Sequence, residues 1–93
     1  MDEEKHLLVF SAAWCGPCRM MKAQVWQDPT IKEKLDNFSS VSFIDIDDPK
    51  NMVMSMTYRV SAVPTIYIVD GEGVPIKAGH TMNINQTLQF LDQ

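Results

Sequence analysis

The chain has two cysteines, and both fall in one short run, Trp14-Cys15-Gly16-Pro17-Cys18. The apolar stretch Leu7-Leu8-Val9-Phe10 leads into the run, and Arg19-Met20-Met21-Lys22-Ala23-Gln24-Val25, a helix-forming stretch, leads out of it. In a setting of strand, tight turn and helix, a Cys-x-x-Cys pair reads as a redox motif rather than half of a metal site. A thiolate in the first turn of a helix faces unpaired backbone N–H groups and the positive end of the helix dipole, which lowers its pKa. Pro17 suits an early helical position, where its missing N–H has no intrahelical partner to lose.

Two other readings of the pair are weaker. Zinc normally takes four ligands, and the chain offers only two histidines and no further cysteine. A permanent structural disulfide is poorly served by so short a spacing in a chain that reads as cytosolic.

The rest of the chain orders itself around this run. His6 to Ser11 predicts a strand with apolar residues on both faces, as in a parallel strand covered on two sides. A first helix is expected from Gly16 to about Gln27. Asp28-Pro29 combines a good cap with a good first helical residue and starts a second helix, with Ile31, Leu35 and Phe38 on its apolar side. Val41 to Asp45 predicts a second strand. Asp47-Asp48-Pro49 repeats the cap-and-proline signal and opens a helix carrying Met52, Val53 and Met56. Ile66 to Val69 is a strand, Asp70-Gly71-Glu72-Gly73 a hairpin turn, and Val74 to Ala78 the antiparallel partner. Pro75 cannot donate to a ladder, so this last strand belongs at the sheet edge. Ile84, Leu88 and Leu91 mark the final helix, with Asn83 as its cap. The order is β-α-α-β-α-β-β-α around a four-stranded mixed sheet, in one domain spanning residues 1–93.

Length and charge narrow the function. Ninety-three residues leave no room for a second core. A formal net charge of −4 argues against a nucleic-acid or anionic-membrane surface. No apolar run approaches the ~20 residues of a membrane span. The charged opening Met1-Asp2-Glu3-Glu4-Lys5 does not read as a signal peptide, which makes the cytoplasm the expected location. There the pair would cycle between dithiol and disulfide.

Trp14-Cys15-Gly16-Pro17-Cys18 resembles the active site of the thioredoxin family, residue for residue. Val63-Pro64-Thr65, before the strand at Ile66, resembles the segment where that family places a cis-proline opposite its disulfide. The resemblance implies a thioredoxin-like α/β fold, trimmed of the strand and helix that precede the first active-site strand in full-length members. It implies a thiol–disulfide oxidoreductase that reduces disulfide-bearing proteins, works without a bound cofactor or metal, acts as a monomer, and is recharged by a thioredoxin reductase. Cys15, at the helix start, is expected to be exposed and acidic and to act as nucleophile. Cys18, one turn inward, is expected to be the buried resolving thiol. Trp14, Gly16, Pro17, Val63, Pro64 and Gly79 are the expected substrate-binding residues, with Trp14 as a flat rim beside the disulfide.

A glutaredoxin-type reductase is disfavoured by the missing Pro-Tyr dipeptide between the cysteines and by the absence of a glycine pair with Asp after Pro64. A binding module that holds a partner without turnover would have no need of the intact dithiol. The chain departs from the family at two positions, where Val9 and Phe43 replace a buried Asp and a nearby Lys. The expectation is an apolar pocket of these two side chains that raises the Cys18 thiol and slows resolution near neutral pH. Trp26 is expected in the core or half-buried, and most of the seven methionines, Met20, Met21, Met52 and Met56 among them, are expected in the core. His6 has no evident partner. His80 reads as an ordinary exposed turn residue, and the run from Asp45 to Asp48 as a strand end plus a helix cap.

Overall fold

The computed structural model describes residues 4–92, so the opening residues 1–3 of the charged N-terminal run lie outside it. Strand β1 (Lys5–Ser11) runs into α1 (Gly16–Gln24) and α2 (Pro29–Leu35), followed by β2 (Ser40–Asp45). A 3-10 turn at Pro49–Asn51 leads into α3 (Met52–Thr57), then β3 (Thr65–Asp70), β4 (Pro75–Gly79) and α4 (Ile84–Leu91). The expected order of elements is therefore observed.

The four strands form one mixed sheet in the order β2-β1-β3-β4. Strand β1 is parallel to β2, with Leu7 opposite Val41 and Ser11 opposite Asp45, and antiparallel to β3. Its central position explains its unbroken apolar run, because both faces of it are covered. Leu7 and Val9 join Ile66 and Ile68 of β3 on one face, under Met21 and Val25 of α1, Ile31 of α2 and Leu91 of α4. Leu8, Phe10, Ile44 and Val69 point to the other face, beneath Tyr58, Val60 and Tyr67. Pro75 sits on the edge strand, as its missing donor requires. The β3–β4 register slips beside it, pairing Val69 with Pro75 and Ile68 with Lys77, so Ile76 is the extra residue of a bulge. At the hairpin, the Asp70 carboxylate accepts from the Glu72 and Val74 amides, and Gly73 takes φ +83°.

The helix signals hold at the starts and fail in part at the ends. Asp28 caps α2 by accepting from the Thr30 and Ile31 amides, and Asn83 and Gln86 form a reciprocal capping box on α4. Helix α1 stops at Gln24, three residues before the expected end. The Val25 and Trp26 amides both donate to the Met21 carbonyl, and the chain turns there to bury Trp26. Pro29 excludes helical backbone at Asp28, which closes off any continuation.

The short α3 corrects the expectation of a methionine-filled core. Met52, Val53 and Met56 are exposed, Met56 by 69%, whereas Met21 is 1% exposed and Met20 and Met82 pack against the core. The sheet face beside α3 is filled by aromatic rings. Tyr58 and Tyr67 stack with ring centres 5.5 Å apart, and both lie against Phe10. The Tyr58 hydroxyl donates to the Gly73 carbonyl and the Tyr67 hydroxyl to the Tyr58 carbonyl. With that space taken, the apolar side chains Met52, Val53, Met54 and Met56 of this short helix are left exposed. Two bonds close α3, from the Arg59 amide to the Met56 carbonyl and from the Val60 amide to the Ser55 carbonyl, with Arg59 left-handed at φ +53°.

His6 is not without partners, contrary to expectation. Its Nδ1 lies 2.7 Å from the Ser40 hydroxyl and its Nε2 3.7 Å from a Glu4 carboxylate oxygen. Ser40 is the residue opposite His6 on the parallel strand, a register the sequence does not announce. Among the described residues, no helix is long and apolar enough to cross a membrane.

Candidate active site

The two cysteines lie where β1 ends and α1 begins. Ala12 to Trp14 turn the chain, with the Cys15 amide donating to the Ala12 carbonyl, and Cys15 caps the helix in extended conformation. Its sulfur accepts a hydrogen bond from the Cys18 amide at 3.1 Å, the role usually filled by a Ser or Asp oxygen. Pro17 occupies the first turn, as its ring favours. Gly16 is exposed and a Cβ there would meet open space, so no side chain stands over this side of the disulfide.

Cys15 and Cys18 are joined in a disulfide, with Cα atoms 5.2 Å apart. Both residues are buried, at 4% and 7% exposure, which corrects the expectation that Cys15 alone is exposed. The physical reason is the packing of the oxidised pair against Ala12, with Ile46 and Val63 alongside. What separates the two sulfurs is position. That of Cys15 is the helix cap and faces the loop before β3, where its Sγ lies 3.5 Å from the Val63 carbonyl oxygen. The Val63–Pro64 peptide bond is cis, as the resemblance implied.

Trp14 lies on the rim, 65% exposed, and its indole N–H donates to the Asp47 carboxylate at 2.8 Å. Sequence reasoning missed this partner because the acidic run was assigned to strand end and cap alone. Asp48 does cap the following turn, through the Lys50 amide, and Asp45 accepts from the Asp47 amide. A signal was present in the topology: Trp14 and Asp47 both follow the C-terminal ends of parallel neighbours, the position where α/β folds assemble sites. Arg19 braces the same turn, its guanidinium donating to the Ala13 carbonyl.

Gly79 ends β4 opposite Ile66. A Cβ there would come within 3.1 Å of the Phe90 ring and 3.2 Å of Met82, tighter than an ordinary contact, so one of these neighbours would have to shift to admit it. The next residue, His80, is exposed but has a partner that its sequence context did not suggest, the carbonyl of Pro64, 3.1 Å from its Nδ1.

Val9 and Phe43 do not form the expected pocket around Cys18. They are opposite one another on β1 and β2, but Val9 belongs to the core beneath α1 and α2, and Phe43 is 57% exposed. Phe43 stands on an edge strand and meets the Trp26 ring edge to face, with ring centres 5.7 Å apart. Cys18 instead belongs to a buried cluster with Ala12 and Cys15, against which Ile46 and Val63 pack.

Comparison with known proteins agrees with this arrangement. The fold is that of a thioredoxin from Thermus thermophilus, which superposes with a TM-score of 0.81 at 22% identity, covering 95% of this chain and 71% of that one. In sequence the chain is similar to Thioredoxin H2-1 of Oryza sativa subsp. japonica, 39% identical over 62 residues that make up 67% of this chain and 41% of that protein. It is also similar to Thioredoxin H2 of Arabidopsis thaliana, 38% identical over 71 residues, 74% of this chain and 49% of the relative. The chain thus spans less than half the length of these two relatives. A disulfide at a helix start facing a cis-proline loop, on this sheet, defines a thioredoxin-fold protein. The match to the thioredoxin family runs over residues 1–93, and the chain belongs to that family.

Proposed function

We propose that this chain is a thiol–disulfide oxidoreductase that reduces protein disulfides through the reversible Cys15–Cys18 pair. The observation that carries the reading is the placement of the Cys15 sulfur, which accepts a backbone N–H at the helix start and faces the Val63 carbonyl. In the reduced protein the same N–H and the helix dipole stabilise a Cys15 thiolate, the form that attacks. Attack on a substrate disulfide forms a Cys15–substrate bond and breaks the substrate S–S bond, leaving one substrate thiolate to take up a proton. Cys18 then loses its proton and attacks the Cys15 sulfur. The Cys15–Cys18 bond forms, the mixed disulfide breaks, and the second substrate thiol departs. Two electrons have moved from the pair to the substrate; the Cys18 proton and one proton from water complete the two substrate thiols.

Within this reading Val63, beside Pro64, offers its backbone to an extended substrate segment, as an exposed strand edge would. Trp14, Gly16 and Pro17 form the floor and rim on which the substrate rests, with Gly79 beside them. No bound cofactor or metal takes part. Electrons come from a thioredoxin reductase, and residues 1–93 act as one monomeric domain in the cytoplasm, where thiols are kept reduced. Catalysis of insulin reduction by dithiothreitol tests the reading. Wild type should accelerate it and Cys15→Ser should not; equal rates for the two would overturn it.

A further inference from the structure

We infer that His80 is a specificity-determining residue, whose imidazole accepts a hydrogen bond from a donor-bearing side chain next to the substrate's cysteine. The inference rests on the disulfide-reductase reading and adds to it a substrate preference. His80 stands on the loop after β4, exposed, with Nδ1 at 3.1 Å from the Pro64 carbonyl oxygen. Pro64 follows Val63, whose own carbonyl is 3.5 Å from the Cys15 sulfur, so the ring is anchored to the residue next to the one that faces the sulfur. A carbonyl oxygen can only accept, so Nδ1 must carry the proton in this contact. In neutral imidazole Nε2 is then left as an acceptor. Among the described residues Nε2 has no hydrogen-bond partner. The ring is thus held in one tautomer by the loop that faces the disulfide, and its remaining lone pair belongs to an exposed residue beside that loop. The complementary substrate carries Lys, Ser, Thr, Asn or Gln beside its reactive cysteine, and a carboxylate or an apolar side chain leaves the lone pair unmatched.

The test uses peptides with one disulfide, identical except for the residue flanking the attacked cysteine: Lys, Ser, Leu or Asp. Wild type should favour the Lys and Ser peptides over Leu and Asp by about fivefold in kcat/KM, expressed in KM, the size of one solvent-competed hydrogen bond. His80→Asn retains an amide donor for the Pro64 carbonyl but has no Nε2, and its Lys/Leu and Ser/Leu ratios should fall to about one. His80→Gln, which restores an acceptor at the Nε2 position, should recover part of the preference. Equal ratios in wild type and His80→Asn would overturn the inference while leaving disulfide reduction intact. A wild type that reduces none of the peptides would overturn the reductase reading itself, and the inference with it.

Discussion

The sulfur of Cys15 lies 3.5 Å from the carbonyl oxygen of Val63, a residue 48 positions further along the chain. The antiparallel pairing of β1 with β3 creates this proximity: Phe10 lies opposite Thr65, so the turn leaving β1 and the loop entering β3 meet at one end of the sheet. The loop before β3 thus approaches the same Cys15 sulfur that caps α1, and this sets the two cysteines apart.

The asymmetry sets an outcome for single-cysteine variants. Cys18→Ser removes the resolving attack and should accumulate a mixed disulfide through Cys15. Cys15→Ser should accumulate none. Non-reducing electrophoresis after mixing with an oxidised protein substrate reads both; equal trapping by the two variants would reverse or abolish the assigned roles.

Burial, not residue type, decides what each methionine contributes. Met21→Ala opens a cavity under β1 and should cost about 2–5 kcal/mol. Met56→Ala removes a side chain that lies mostly in water and should change stability by no more than ~0.5 kcal/mol. Urea unfolding of the two variants checks this pair, and a loss at Met56 comparable to that at Met21 would show that α3 is packed after all.

Arg59 holds left-handed backbone at the close of α3, a conformation that costs a side-chain-bearing residue and suits glycine. Arg59→Gly should therefore stabilise the fold by about 0.5–1 kcal/mol, the strain relieved outweighing the added freedom of the unfolded chain. A lower thermal midpoint in the variant would mean that the Arg59 side chain supplies a compensating interaction.

Local chemistry made much of this molecule readable from its residues. Asp28, Asp48 and Asn83 announce helix starts because a short polar side chain and the backbone donors behind it satisfy each other. Pro75 announces an edge because it lacks a donor. The five residues from Trp14 to Cys18 carry the site because sulfur position and helix start are coupled over one turn. What stayed hidden depends on residues far apart in sequence. Trp14 with Asp47, His6 with Ser40 and His80 with Pro64 meet through strand register and loop placement, which no local pattern records. Periodicity also misled where an element has an apolar stripe but no partner: Met52, Val53 and Met56 resemble a buried face, while Tyr58 and Tyr67 already fill the space beside Phe10. Phe43 failed for a related reason, since a strand at the edge of a sheet is covered only as far as its neighbours reach.

The central claim is that Cys15 and Cys18 exchange two electrons with a protein disulfide. Pre-reduced protein, freed of small thiols, can be mixed with an excess of insulin and both products followed by thiol labelling and mass spectrometry. The account predicts that each molecule reduces one substrate disulfide and ends with its own two cysteines joined and unlabelled, with no such transfer by Cys15→Ser. Substrate left oxidised while Cys15 and Cys18 remain free thiols would contradict it.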